Sequence, residues 1–175
     1  MKFTVKWVGI ILIGMMLFGM QAILPDQVRA QADEDLVFTP VEPCRIVDTR
    51  NPGPVSGVFA PNERREFYVY GTSEISSQGG NPAGCAAPNG EPSAVHIAIT
   101  AVPISGLCFL TAFPANVSPP LAGVLVYKAG VHPVVNAATI KTYFQVGERE
   151  IEILNGPCGS AHVVIDVMGY FYPMP

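Results

Sequence analysis

The side chains that could do chemistry fall into four groups: carboxylates with arginine, histidines, tyrosines and cysteines. Beyond residue 35 the chain holds two aspartates, Asp48 and Asp166, each inside an otherwise apolar stretch. A buried carboxylate must be paired or hydrogen-bonded. Arg45 and Arg50 flank Asp48 in the sequence and can each offer a carboxylate two parallel hydrogen bonds. Arg45, Asp48, Arg50 and Asp166 are therefore read as a polar clasp joining the first and last strands, in preference to a ligand site.

The other chemistries have weaker support. A glycosidase needs two carboxylates flanking the scissile bond. Glu63, Glu66, Glu148, Glu150 and Glu152 could supply a pair, but they cluster where solvated strand edges and turns are expected. His96, His132 and His162 show no H-E-x-x-H or comparable metal spacing. His162 and Asp166 would lie about 13 Å apart along one strand, too far for a dyad. No G-x-S-x-G is present. The reading is of a protein without catalytic residues, metal or cofactor. Tyr68, Tyr70, Tyr127, Tyr170 and Tyr172 could stack on sugar rings, although aromatics favour strands whatever the function. The single tryptophan, Trp7, lies in the leader, which weakens the sugar-binding reading.

The cysteines are Cys44, Cys85, Cys108 and Cys158, with gaps of 41, 23 and 50 residues. No C-x-x-C pair exists to hold zinc. An even count in an exported chain reads as two disulfides. The residues admit three pairings, of which Cys44–Cys85 with Cys108–Cys158 is preferred; each bridge would be worth about 3–4 kcal/mol in the chain-entropy model.

Export itself is read from the N-terminus. Lys2 and Lys6 precede an apolar run of 18 residues from Trp7 to Leu24, and Ala30-Gln31-Ala32 forms a small-residue cleavage site. This is the three-part pattern of a secretory signal peptide over residues 1–32. An uncleaved anchor is the competing reading, since the run is near the lower limit for a membrane span; Pro25 and the small-residue site favour cleavage. With cleavage the protein is secreted or held at the cell surface, without membrane insertion. Residues 1–32 carry three cationic residues and one aspartate, so the net charge falls from −4 for the chain to −6 for residues 33–175. Only Lys128 and Lys141 remain as lysines, a poor surface for neutralising phosphates, which argues against nucleic-acid partners.

Residues 33–175 read as one domain. Strands are predicted over 36–39, 45–49, 66–70, 93–103, 108–113, 123–127, 137–144, 150–154 and 161–172, divided by Gly/Pro punctuation. Residues 93–103 have the clearest period of two: Val95, Ile97 and Ile99 face one way, and the opposite set (Ala94, His96, Ala98, Thr100) is also small or apolar, as in a central strand. Residues 71–92, rich in Gly, Ser, Asn and Pro, read as a long surface loop. No amphipathic helix or internal repeat is evident. About nine short strands predict an all-β, antiparallel β-sandwich, with a jelly roll as one form of it.

The ends of the domain, FTPVEPCRIVDTRNP and HVVIDVMGYFYP, resemble a domain of exported bacterial proteins that opens with PxRxxDTR and closes with DxxGYF. The resemblance spans roughly residues 36–173 and is looser in the middle, where Ile97-Ala98-Ile99-Thr100 and Phe109-Leu110-Thr111 stand at its strand positions. It implies a repeated or appended extracellular module and supplies no catalytic residues. Cys108 and Cys158 are not expected in its core motif, which implies that they pair with each other. The expected function is a non-catalytic structural or adhesive module meeting an envelope or extracellular protein or a polysaccharide. A carbohydrate-binding module is the alternative, and a secreted hydrolase comes third.

Overall fold

The computed structural model describes residues 35–145 and 147–174. The predicted signal peptide lies outside them. Glu34–Pro175 forms one compact unit of seven strands and one short helix: β1 (Leu36–Asp48), β2 (Arg64–Phe67), α1 (Ser73–Ser77), β3 (Ala94–Pro114), β4 (Leu125–Lys128), β5 (Val134–Lys141), β6 (Ile151–Asn155) and β7 (Gly159–Pro173). All strand pairings are antiparallel.

Where the sequence predicts about nine short strands in a sandwich, the strands join into a single hydrogen-bonded sheet of seven, ordered β1-β7-β3-β6-β2 with β4 and β5 also on β3. Two pairs of predicted strands fuse. Pro40 and Pro43 do not divide β1, because β1 is an edge strand bonded to β7 alone. An edge tolerates proline's missing N–H, and the register slips between Pro40 and Cys44 to accommodate it. Pro103 likewise does not end β3, which runs 21 residues with a slip between Pro103 and Ser105.

β3 is the spine. Along one side, Leu107 pairs with Lys128 and Ala101 with Val134, six residues on in both chains, so β4 and β5 are one interrupted strand in continuous register. Along the other side, Leu110 pairs with Asn155 and Gly106 with Gly159, four residues on in both chains, so β6 runs into β7 in the same way. β1 pairs with β7 and β2 with β6, and a bridge between Phe59 and Ala161 ties the segment between β1 and β2 to β7. The sheet curls into a half-barrel whose concave face holds one continuous core: Val95, Ile97 and Ile99 from the first half of β3, Leu110 from the second, Ile151 and Ile153 from β6, and Val163, Ile165 and Val167 from β7. The alternation read in residues 93–103 places that concave set, and pairing to β5 and β7 makes the segment central.

Two disulfides close the frame, Cys44–Cys85 and Cys108–Cys158, consistent with folding in an oxidising compartment. The first ties the 71–92 segment to β1. That segment is more structured than a surface loop: it contains α1 and buries Ile75 and Gln78. Gln78 fastens it, since its side-chain oxygen accepts from the Tyr68 amide (2.6 Å) and its Nε2 donates to the Ile46 and Tyr68 carbonyls (both 3.1 Å). The second disulfide crosses from β3 to the β6–β7 turn. Removing either bridge by paired Cys→Ser substitution is expected to lower the unfolding free energy by about 3–4 kcal/mol, because each constrains a loop of tens of residues in the unfolded chain. Urea midpoints of the Cys44→Ser/Cys85→Ser and Cys108→Ser/Cys158→Ser variants measure this.

Candidate functional site

The predicted clasp residues meet along the β1–β7 seam. Arg45 and Asp166 are cross-strand partners, and the guanidinium donates twice, from Nε to Oδ1 (2.9 Å) and from a terminal nitrogen to Oδ2 (3.2 Å). Asp48 is held by Arg50 through Nε (2.8 Å), a terminal nitrogen (2.6 Å) and the Arg50 amide (3.1 Å), with Arg45 a further 3.5 Å away. These hydrogen bonds, the Arg50 side chain foremost, hold the Asp48 carboxyl below the usual range. Thr49, missed in the sequence reading, completes the seam: its hydroxyl accepts from the Val163 amide (2.9 Å) and bonds His162 Nδ1 (3.1 Å). Asp48 and Thr49 are buried, while the Arg45 and Arg50 side chains are almost half exposed. The seam thus has its carboxylates and hydroxyl committed to structural partners.

The tyrosines separate into two sets. Tyr127, Tyr170 and Tyr172 are at most 7% exposed, so they cannot stack on a ligand. Strand alternation turns them to the concave face, where Tyr127 donates to Asn155 Oδ1 (2.7 Å) and Tyr170 to the Val69 carbonyl (2.8 Å). Burial raises both phenol pKa values. Tyr68 and Tyr70, just beyond β2, are half-buried and line an open cleft of about 270 Å³ together with exposed Phe144.

The glutamates correct the sequence reading. Glu150 and Glu152 are 6% and 3% exposed, although their alternation with isoleucine suggests a half-solvated strand. In β6, Glu152 lies between its cross-strand partners Glu66 of β2 and Phe113 of β3, so neighbouring side chains cover the polar face too. Glu152 ion-pairs with Arg64, which also lies over the Phe113 ring. Glu150 opens instead on the cleft, with Glu74 of α1, Glu91 and Glu148. Its Oε2 accepts from the Val69 amide (2.9 Å), while its own amide is spent on the Phe67 carbonyl (3.1 Å). Burial first, with the Glu74 and Glu91 carboxylates adding to it, pushes the Glu150 carboxyl up to about 7 against the hydrogen bonds it accepts from the Val69 amide and from its own amide.

Among the described residues no three His, Cys, Asp or Glu side chains gather to hold a metal ion. Comparison with protein-family models, with characterised proteins and with solved structures gives no match to this chain.

Two predictions separate seam from cleft. In the seam, Asp48→Asn should cost about 2–3 kcal/mol, since a buried acceptor of charged hydrogen bonds is weakened. Asp166→Asn, at a site where both side chains keep solvent contact, should cost at most about 1 kcal/mol; chemical denaturation of the two variants gives the ranking. In the cleft, the sign follows from the raised carboxyl. Native Glu150 holds its proton more tightly than the unfolded chain, so its contribution is full below the ordinary value of 4.5 and is lost as pH climbs to about 7. With water reaching the cleft, the loss is about 2 kcal/mol. Asp48 acts at the opposite end, its contribution disappearing as pH falls below the ordinary 3.8. Stability should therefore decline from pH 5 to pH 8, and Glu150→Gln should flatten that decline in thermal melts.

Proposed function

We propose that the chain is an exported, non-catalytic module of the extracellular space, with a structural or adhesive role. One observation carries this reading: both aspartates of the end segments are held by arginines along the β1–β7 seam, Asp166 by Arg45 and Asp48 by Arg50. They clamp a frame that two disulfides also close. Such a frame suits a domain that must persist outside the cell, where bridges are stable and no chaperone repairs the fold. The likeness of the two end segments to an exported bacterial module supports the same reading, as does the leader with its small-residue cleavage site. A β-sandwich assignment in the narrower sense, two layers of which this curled sheet would be a joined form, belongs to the same proposal.

A carbohydrate-binding module is the second reading, favoured by Tyr68, Tyr70 and Phe144 on an open cleft. Partly exposed aromatic rings lining a cleft are the side chains that stack on sugars. A hydrolase draws on one feature, the Glu150 carboxyl near neutrality in that cleft, as a general acid requires. Binding of the oxidised, exported protein to a panel of bacterial and plant polysaccharides, with release of reducing ends followed in parallel, separates the three. The proposal expects no turnover. Saturable binding weakened about tenfold or more by Tyr68→Ala or Tyr70→Ala, a loss typical of a stacking contact, would establish the carbohydrate module. Folded protein that binds no polymer leaves adhesion to a protein partner. Turnover abolished by Glu150→Gln would overturn the non-catalytic reading.

A further inference from the structure

Apart from Glu42 and Glu66, the acidic residues beyond residue 35 are sorted by the fold. Asp48, Asp166, Glu63 and Glu152 each meet an arginine. The four carboxyls of the Tyr68–Tyr70 cleft, Glu74, Glu91, Glu148 and Glu150, have no salt bridge among the described residues. They come from separate segments: α1, the stretch before β3, and the stretch before β6. Nothing in their local sequence requires them to converge, and their convergence costs repulsion.

The repulsion is visible in the neighbours. Glu74 and Glu91 raise both the Glu150 carboxyl and the Tyr70 phenol, after burial as the larger cause in each case. Glu74 itself stays low, held by backbone amides around Ser73 and by the Ser73 side chain. Glu150 is nine-tenths buried yet receives a hydrogen bond from only one other residue, the Val69 amide at Oε2. Its Oε1 takes no hydrogen bond from another described residue and belongs to the cleft lining. Arg149, its neighbour in the chain, makes no salt bridge to the group. Its guanidinium lies over the Tyr68 ring, 5.3 Å from the centroid, with Nε buried and unpartnered.

Uncompensated carboxyls beside aromatic faces form a site for a cation with an apolar body. Ring faces attract a cation through their quadrupole, and more strongly when it is partly desolvated. A bare metal ion would need oxygen ligands gathered around it, and no such group exists among the described residues. We infer that the cleft lined by Tyr68, Tyr70, Phe144, Glu74 and Glu150 binds an organic ammonium ion, with the Tyr70 and Phe144 rings against its carbons, the Tyr68 ring already carrying Arg149, and the carboxylates against its charge. The inference rests on the reading of the chain as a binding module and names the ligand chemistry of that module.

Proton linkage supplies a signature that nonspecific attraction to an acidic surface lacks. The groups facing Glu150 are Glu74 from α1, Glu91 from the stretch before β3, Glu148 from its own stretch, Tyr70 from beyond β2 and Tyr170 from β7, with Tyr172 acting on both tyrosines. The three phenols are raised, so they stay neutral between pH 6 and 8. Within that interval Glu150 gains charge, and the ionised form is the one that receives the cation.

The test is calorimetric titration of the full exported protein with choline, whose charge does not titrate, and with its neutral isostere 3,3-dimethyl-1-butanol. Cadaverine serves as the primary-amine arm. The site predicts that choline or cadaverine binds about tenfold or more tighter than the neutral alcohol, the better of the two telling a quaternary from a primary ligand. Affinity should rise about tenfold from pH 6 to pH 8, in proportion to the ionised fraction of a group titrating near 7. Glu150→Gln should abolish the pH dependence. Should that variant not fold, Glu74→Gln, at a more accessible position, should still weaken choline binding. Equal affinity for choline and the alcohol, or no binding of either cation, would overturn the inference. If polysaccharide binding through Tyr68 and Tyr70 persists in that case, the binding-module reading survives and only the cationic ligand is lost.

Discussion

Every strand of the sheet is bonded to β3 or to a strand that is. A spine of 21 residues exceeds the usual strand of 5–6 residues, and one straight strand of that length could not serve a single compact core. The constraint is met near the middle of β3, where Pro103 interrupts the ladder and Gly106 adopts a left-handed conformation with φ of 74°. A side chain at Gly106 would place its Cβ 2.0 Å from the Cys158 carbonyl oxygen, so only glycine lets β3 and the β6–β7 turn approach so closely. Cys108, two residues on, is bonded to Cys158 at that place. The chemical staple and the steric allowance coincide at the point where one half of the sheet passes into the other, which keeps the two halves facing one core.

The end segments can be decoded in the same terms. In β7, Asp166 faces Arg45 across the seam. Gly169 lies under Phe38, whose ring would be 2.4 Å from an added Cβ, so the glycine admits an aromatic lid that also packs on Phe171 at 5.0 Å. Tyr170 turns inward and donates to the Val69 carbonyl (2.8 Å). In β1 and just after it, Asp48 organises Arg50 and Thr49 reaches Val163. Each of these residues thus has a structural partner, and the pattern DxxGYF describes a strand that must bind a neighbour, make room for a ring and anchor a distant backbone carbonyl.

What could be read from the sequence follows the range of the forces involved. The period of two in 93–103 reports burial directly, and it placed the central strand and its concave face. Charges restricted to two aspartates limited the possible ion pairs, and Arg45 with Asp166 lay within that short set. Fusion of strands through Pro40 and Pro103 was hidden because proline's cost depends on whether its side of the strand carries a ladder bond, a tertiary fact. Burial of Glu150 and Glu152 was hidden for the same reason, since alternation tells which residues share a face and not whether the second face is covered. Gln78 and Asn155 gave no signal, although each supports several backbone groups: Asn155 Nδ2 donates to the Ala60 and Gly159 carbonyls at 2.9 and 2.8 Å, and its Oδ1 accepts from Tyr127. Side chains that satisfy loop backbone cannot be recognised before the loops are placed.

The cleft is held by this same buried polar network, which bears on how it can bind. Val69, between the two cleft tyrosines, is fixed at both polar atoms: its amide donates to Glu150 and its carbonyl accepts from Tyr170. Tyr68 is fixed at both by Gln78. Just before Phe144 in the chain, the Tyr143 amide donates to the Glu150 carbonyl (2.9 Å), and the Thr142 amide to the Ser93 carbonyl (3.0 Å). Loops so tied do not have to be ordered by a ligand, so less of the binding energy is lost to entropy. The same ties explain how the carboxyl repulsion is tolerated. Glu150 is a structural acceptor for the cleft wall before it is anything else, and protonation relieves its charge without releasing Val69, because its Oε2 can still accept. A cation arriving in the cleft would take the place of that proton, so the group that secures the wall is also the group whose charge a ligand would use.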